Sequence, residues 1–590
     1  MEFTNERITI LYGSQTGNAQ DVAERIWRES RRYYFTGCVK AMDDYDIINL
    51  TKESCVIFIC STTGQGEEPD NMKSFWRFLL RKNLPPNLLS LRFAVLGLGD
   101  SSYVKFNFAA KRLNKRLAQL GGDMLVPLGL ADDQHDLGYD AVVDPWITSL
   151  YKELLQLYPL PGGLDPLSRN TLLKPRWHVS TYLADNEPVS SCMYHTSRKP
   201  DEFTVTVKEI TRTTDDSHFQ DVRLIKLQTD GQHYVPGDVA VVRPRNSKEQ
   251  VSDFQELLKA HSIDIPPNTV FQVDNLAADV PVPAPLRQQV TFQQLCEQYF
   301  DLNAVPRRNF FNILLGLTDN DLEKEKLEEF ISAEGQDDLY NYCNRPRRNI
   351  VEVLQDFPHA LKNITDDVLL EMFPPIKPRE FSIASSFKAH KDEIHILLAV
   401  VQYKTKLVKE RMGLCSNYLA NLRVGDHISV WIKKGSFKFP VDPEATVIMV
   451  GPGTGMAPFR SFICEWELEG GTSADKIYFF FGCRGQSDFH CRRDFERLQR
   501  EKKLTLICAF SRETEHKVYV QHKIEENGDL LWELLRTRNV YVFVAGNAKN
   551  MPRQVREAFV SVCKMNGGMA NADAFIENME KTGRYQTETW

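Results

Sequence analysis

From Arg7 to about Leu157, short apolar runs alternate with amphipathic stretches of helical length. The runs are ITILYG (8–13), CVIFICST (55–62), RFAVLGLG (92–99) and DMLVPLGL (123–130), with helical segments such as 70–83 and 107–120 between them. Such runs suit a parallel sheet covered on both faces. A doubly wound α/β domain is therefore expected over 1–157. YPLPGGLDP (158–166) and the residues up to Pro175 gather Pro and Gly without periodicity, which predicts an interdomain linker over 158–175. Strand-like runs resume at 203–210, 222–229 and 233–244, a helix-rich block covers about 248–373, and more strands follow at 393–401 and 427–434. A β-barrel over 176–440, interrupted by a helical insertion, fits that order. From 441 to 590 the α/β alternation returns, with TVIMVG (446–451), KIYFFFG (476–482), LTLICAFS (504–511) and VYVFVAG (540–546) as strands. The expected fold class is thus multidomain α/β plus β-barrel.

At 590 residues the chain is too long for one core and should hold about three to five units. Its net charge of −7 gives no general attraction to phosphate backbones or anionic lipid. The twelve cysteines include no C-x-x-C pair, so they read as reduced thiols rather than as a metal clip. The start Met1-Glu2-Phe3-Thr4-Asn5-Glu6-Arg7 lacks the features of a signal peptide, and no run reaches the ~18 apolar residues of a membrane span. A soluble, cytoplasmic protein is expected.

In doubly wound sheets ligands bind beyond the carboxyl ends of the strands. The first such loop, Gly13-Ser14-Gln15-Thr16-Gly17-Asn18 leading into Ala19, brings N–H groups, hydroxyls and a helix start together as a phosphate site without a Lys. A hydroxyl-rich capping turn would look the same. The second loop is Ser61-Thr62-Thr63-Gly64-Gln65-Gly66-Glu67. The third is Leu98-Gly99-Asp100-Ser101-Ser102-Tyr103, followed by Phe106-Asn107, with an aromatic ring placed to stack on a flat ligand. In the last domain, Val450-Gly451-Pro452-Gly453-Thr454-Gly455 opens a helix after a strand, so its glycines can admit a pyrophosphate; it is not the G-x-G-x-x-G fingerprint. Ser511-Arg512 and Lys517-Val518-Tyr519-Val520-Gln521 offer a hydroxyl, two cations and a phenol suited to a 2′-phosphate, although a solvated charge run remains the alternative for Lys517.

The three N-terminal loops resemble the flavodoxin-like domain that binds FMN. The resemblance implies that the first holds the phosphate and the others the ring, with Tyr103 stacked on it and Asp132 at its edge. Relatives such as cytochrome P450 reductase have a second aromatic where this chain has Thr63. In the middle domain, Arg379-Glu380-Phe381-Ser382 resembles the FAD-binding strand of the ferredoxin–NADP reductase-like barrel. Gly413-Leu414-Cys415-Ser416 resembles its pyrophosphate loop, and Arg347, with Arg345 and Arg348 as close rivals, would be a further FAD contact. In the NADPH domain of that superfamily, the terminal aromatic covers the FAD ring. The resemblance implies that Trp590 takes that place here, with Glu588 beside the hydride-transfer site and Ser382 as the hydroxyl beside the flavin. A Cys common in relatives is absent from Val544-Ala545-Gly546-Asn547.

The complete order resembles the diflavin reductase family, and Cys343-Asn344-Arg345-Pro346-Arg347-Arg348 with Glu588-Thr589-Trp590 resembles its branch in cytosolic iron–sulfur protein assembly. That implies an electron path from NADPH through FAD and FMN to an anamorsin-type [2Fe–2S] protein, with no nucleic acid and no membrane anchor. A haem protein or methionine synthase as acceptor stays open, as does a flavoprotein scaffold without turnover. Glu67, Glu68, Asp70, Asp132, Asp133, Asp136, Asp140 and Asp144 crowd the FMN loops as either a solvated rim or a docking patch for a basic partner.

Overall fold

A computed structural model describes residues 5–590 apart from 65, 83, 85–87, 104, 161–162, 184–191, 195–200 and 277–279. Gln65 of the second loop, part of the expected linker and the first four residues therefore lie outside the described residues. The chain divides into two compact units that do not follow its linear order. One comprises Met1–Ser197, Asn246–Ile376 and Lys404–Lys409; the other comprises Arg198–Arg245, Lys377–Tyr403 and Glu410–Trp590.

In the first unit a parallel sheet runs in the order Val39–Ala41, Thr9–Gly13, Cys55–Ser61, Arg92–Gly99, and both Asp123–Met124 and Gly129–Asp132 pair with Arg92–Gly99. Successive residues of a strand serve opposite faces. Ile57 and Ile59 pack with helices Asn18–Arg32 and Asp140–Leu157, whereas Val56 and Phe58 pack with Lys73–Leu79 and Phe108–Gln119. Burial on both sides is why the runs are continuously apolar. The run expected at 123–130 is two short strands instead, because Pro127 between them has no N–H to give the ladder.

The same unit contains the helical insertion. Its helices, among them Arg308–Leu317 and Asp366–Met372, share a core with a three-stranded antiparallel sheet of Trp177–Leu183, Thr269–Asn275 and Val290–Thr291. Buried ion pairs join this part to the α/β part. Arg176 meets Glu24 at 2.7 Å and Glu371 at 2.9 Å, and Arg28 meets Glu371 at 2.6 Å. Asp144 meets Arg25 at 2.7 Å and also pairs with Arg308, while Asp140 faces Arg25 at 3.6 Å. Asp140 and Asp144 therefore correct the expected acidic rim: they are internal ion-pair partners, and the patch is smaller than the sequence suggests.

The second unit holds a six-stranded antiparallel barrel in the order Arg379–Ser382, Val239–Val242, His427–Lys433, Phe203–Arg212, Val222–Gln228, Glu393–Ala399. A bridge between Ile383 and Ile396 joins its first and last strands. The strand expected at 233–244 shrinks to Val239–Val242, since a turn closed by the Asp238 N–H on the Val235 carbonyl precedes it and Pro244 follows. The unit's second sheet is parallel, ordered Thr505–Phe510, Ile477–Cys483, Thr446–Val450, Val540–Gly546, Tyr585–Thr589. Its last strand is absent from the sequence expectation. No described helix is long and apolar enough to cross a membrane.

Candidate functional site

The first loop leads from Thr9–Gly13 into the helix Asn18–Arg32. Gly17 sits at that helix's N-cap with φ 102°, a left-handed conformation in which a side chain would cost about 1–2 kcal/mol. Its N–H donates to Ser14 Oγ at 3.0 Å, and the Ser14 N–H donates to Asn71 Oδ1 at 2.8 Å. Gln15 exchanges hydrogen bonds with Asp70, its amide to Oδ2 at 2.9 Å and the Asp70 N–H to Gln15 Oε1 at 3.0 Å. These bonds fold the turn around the orphan N–H groups of the helix start, where Thr16 and Asn18 stand and beneath which Ala19 is buried. The site also has a cation that the sequence reading missed. Arg307, from the insertion, donates to the Gly17 carbonyl at 3.3 Å and to Asn18 Oδ1 at 2.9 Å.

Thr63 has a structural task that accounts for its presence. Its hydroxyl donates to the Glu67 carbonyl at 3.2 Å, and its N–H donates to the same oxygen at 3.0 Å, closing a tight hairpin through Gly64 and Gly66. Ser61 donates to the Gly13 carbonyl, and Thr62 Oγ1 accepts from the Ala109 N–H, so the second loop is tied to both neighbours. In the third loop Ser101 N–H and Gln134 N–H donate to Asp132 Oδ1 at 2.9 and 3.0 Å, and Ser102 N–H donates to Asp100 Oδ1 at 2.8 Å. Against the upward pull of burial, the hydrogen bonds from Ser101 and Gln134 hold the Asp132 carboxyl below its ordinary value. Burial, with Asp100 and Asp132 nearby, pushes Asp133 the other way. Leu98 and Asn107 are buried under the loop, with the Asn107 amide donating to the Ala131 carbonyl and its oxygen against Gly97 and Gly99. Gly99, half-buried Tyr103 and Phe106 remain on the accessible side.

Within the barrel, Arg379 is exposed and donates to the carbonyls of Lys377 and Pro378, while Glu380 pairs with Lys433 at 3.0 Å. Phe381 and Ser382 are half-buried. Gly413 has no room for a side chain, because a Cβ would lie 2.7 Å from Val401 Cβ. Leu414 starts a short helix, and Ser416 Oγ accepts from the Val401 N–H at 3.0 Å. Burial pushes the Cys415 thiol up to about 12, so it packs without reacting. Arg347, at φ 57°, belongs to the first unit, where its charge partly offsets the upward push on Asp133.

In the C-terminal sheet Gly453 has φ 57° with open space around it. A Cβ on Gly455 would lie 2.2 Å from the Ala545 carbonyl oxygen, so the loop lies hard against the neighbouring strand with half-buried Thr454 at its turn. Ser511 and Arg512 continue the ladder, their N–H groups donating to the Cys483 and Arg484 carbonyls. The side chains of Arg512 and Lys517 are exposed and form no ion pair among the described residues. Tyr519 is exposed, Val518 is half-buried, Val520 is buried, and the Gln521 amide donates to Gln554. The donor types and the glycine geometry thus fit phosphate-bearing dinucleotides.

The chain's end is built into this sheet. Tyr585–Thr589 pairs with Val540–Gly546, setting Glu588 opposite Ala545, and the Trp590 N–H donates to the Gly546 carbonyl at 3.1 Å while its indole is half exposed. Ser382 Oγ, from the barrel, donates to Glu588 Oε1 at 3.0 Å. Sequence reading named these three residues without the strand that assembles them.

Comparison with known proteins accords with this geometry. The Flavodoxin family matches residues 10–146, the FAD binding domain 196–418 and the Oxidoreductase NAD-binding domain 449–557. Similar proteins include those named NADPH-dependent diflavin oxidoreductase 1 from Danio rerio (49% identical), Xenopus laevis (47%) and Arabidopsis thaliana (37%), each covering 99% of both chains. With three domain types in this order and such identity along nearly its whole length, the chain belongs to the NADPH-dependent diflavin oxidoreductase family.

Proposed function

We propose that this oxidoreductase, which works with FMN, FAD and NADPH, delivers electrons one at a time to an anamorsin-type [2Fe–2S] protein of cytosolic iron–sulfur assembly. Nicotinamide supplies a hydride and the flavins divide it into single electrons. The observation that carries the hydride-transfer assignment is the 3.0 Å hydrogen bond from Ser382, on the barrel strand, to Glu588, on the terminal strand of the nucleotide sheet. Ser382 would present a hydroxyl beside FAD, Glu588 accepts that hydroxyl's hydrogen bond, and the Trp590 ring would cover the flavin face. Arg379, Glu380, Phe381 and the loop Gly413-Leu414-Cys415-Ser416 would hold FAD. Thr454 lies at the pyrophosphate, and Ser511, Arg512, Lys517, Tyr519 and Gln521 hold the 2′-phosphate end.

Ser14 to Asn18 grip the FMN phosphate, while Thr62, Thr63, Gly64, Gly99 and Tyr103 frame its ring. The domains we assign are 1–157 for FMN, 176–440 for FAD with the insertion, and 441–590 for NADPH. After Asp140 and Asp144 are removed from the acidic patch, Glu67, Asp70 and Asp136 remain exposed by the FMN loops and favour a partner with basic residues around its redox centre. The test is anaerobic stopped-flow. NADPH, and barely NADH, should bleach both flavins, and the reduced enzyme should then reduce the [2Fe–2S] protein at a rate that falls as salt rises. Faster reduction of a haem protein, with a flat salt profile for the cluster protein, would overturn the choice of acceptor.

A further inference from the structure

Glu588 has a second partner that the reading above leaves unused. Its Oε2 accepts from Ser436 Oγ at 2.6 Å, a shorter contact than the 3.0 Å from Ser382 to Oε1. A hydroxyl–carboxylate bond of that length is among the stronger charge-assisted ones. Two residues earlier on the same face of the strand, Gln586 makes a reciprocal pair with Lys438. The Lys438 N–H donates to Gln586 Oε1 at 2.8 Å, and Gln586 Nε2 donates to the Lys438 carbonyl at 3.0 Å. The side-chain amide thus takes the place of a neighbouring strand's peptide group.

The segment 434–438 is a rigid support. A Cβ on Gly435 would fall 1.7 Å from the Gly237 carbonyl oxygen, so backbone lies on backbone there. Lys434 pairs with buried Asp238 at 3.0 Å. Phe437 is buried with ring centroids 5.8 Å from Phe459 and 5.3 Å from Phe543. Ser436 itself is exposed, yet its backbone is fixed on both sides.

We propose that Ser436 and Gln586 are positioning residues of the hydride-transfer site, fixing the height and rotation of Glu588 so that one carboxylate oxygen is held by the barrel loop and the other is presented to Ser382. The proposal rests on Ser382 and Glu588 being that site. A carboxylate held at one oxygen only can rotate, and small misplacements of a reacting constellation are costly.

The experiment uses the full-length enzyme loaded with both flavins. Ser436→Ala should slow anaerobic reduction of FAD by NADPH about tenfold, the lower end of what a hydrogen bond to a charged group is worth, with KM for NADPH and flavin content unchanged. Ser436→Thr, which keeps the hydroxyl, should restore the rate. In a Glu588→Ala background, Ser436→Ala should cost nothing more, because its effect passes through Glu588. Gln586→Ala should raise hydrogen exchange at the amides of 585–589 about tenfold in oxidised enzyme without NADPH, a readout independent of turnover. An unaltered Ser436→Ala rate, an equal tenfold loss in the Glu588→Ala background, or unchanged exchange in Gln586→Ala would overturn the proposal. Full activity of both Ser382→Ala and Glu588→Ala would instead refute the assignment of the hydride-transfer site, while the exchange result would still report on the clamp.

Discussion

Glu371 is the carboxylate on which the contact between the α/β part and the insertion turns, and replacing it with Gln isolates its charge. It accepts from the Arg176 N–H at 2.7 Å, from Arg176 Nε at 2.9 Å and from Arg28 at 2.6 Å. Burial alone would raise its pKa, but Arg176 and Arg28 overcome that and bring it down from 4.5 to about 2. A depression of that size is worth on the order of 3 kcal/mol of stabilisation at neutral pH. Leaving buried Arg176 and part-buried Arg28 with Glu24 as their remaining counter-charge costs a comparable ~3 kcal/mol by general experience with broken buried pairs. Glu371→Gln should therefore raise hydrogen exchange in the helices Asn18–Arg32 and Asp366–Met372 on the order of a hundredfold at pH 7.

The sign of the pH dependence follows from the direction of the shift. A depressed carboxylate stabilises the fold above its unfolded value and loses that contribution as pH falls through its folded value. The gap between wild type and variant should thus close between about 4.5 and 2. Exchange at wild-type rates at pH 7, or a gap as wide at pH ~3 as at pH 7, would refute the reasoning.

Gly455→Ala puts a Cβ 2.2 Å from the Ala545 carbonyl oxygen; reduction by NADPH should fall at least about tenfold in stopped-flow, while absorbance shows both flavins retained. On the 2′-phosphate role proposed for it, Arg512→Ala should raise KM for NADPH roughly 10- to 100-fold and leave NADH turnover nearly unchanged, since one hydrogen bond to a phosphate is worth about 1.5–3 kcal/mol. Arg307→Ala should increase FMN dissociation about tenfold, measured as released-flavin fluorescence, because the Gly17–Asn18 turn loses both guanidinium contacts. Burial holds the His395 imidazole at about 3 despite Glu393 2.7 Å away, so the unfolded chain takes up its proton first and stability is lost as pH falls from 6.5 toward 3. His395→Gln should flatten that acid limb in urea titrations followed by fluorescence.

The sheets were legible because their strands are buried on both faces, as Val56 to Ile59 show, and the loops at their carboxyl ends could be found by position. The terminal strand was not, although Tyr585, Thr587 and Thr589 favour extended backbone. Gln586 and Glu588 hide its pattern, and its partner Val540–Gly546 is separated from it by two helices. Arg307, Ser436 and the partners of Asp140 and Asp144 were invisible for a related reason. An exposed charge and a buried, paired one look alike until the distant side chain is placed. Thr63 shows the converse: the missing aromatic could be read from sequence, but the hairpin its hydroxyl closes could not.

The interleaving of the two units also governs how the molecule can be made. Phe203–Arg212, Val222–Gln228 and Val239–Val242 leave the ribosome well before their partners Arg379–Ser382, Glu393–Ala399 and His427–Lys433. At synthesis rates of roughly 5–20 residues per second those edges wait about ten to thirty seconds, during which the intervening insertion can already collapse onto the finished N-terminal α/β part. A nascent chain halted inside the insertion would therefore carry a completed first sheet and an open half-barrel, the species for which cellular folding helpers would compete.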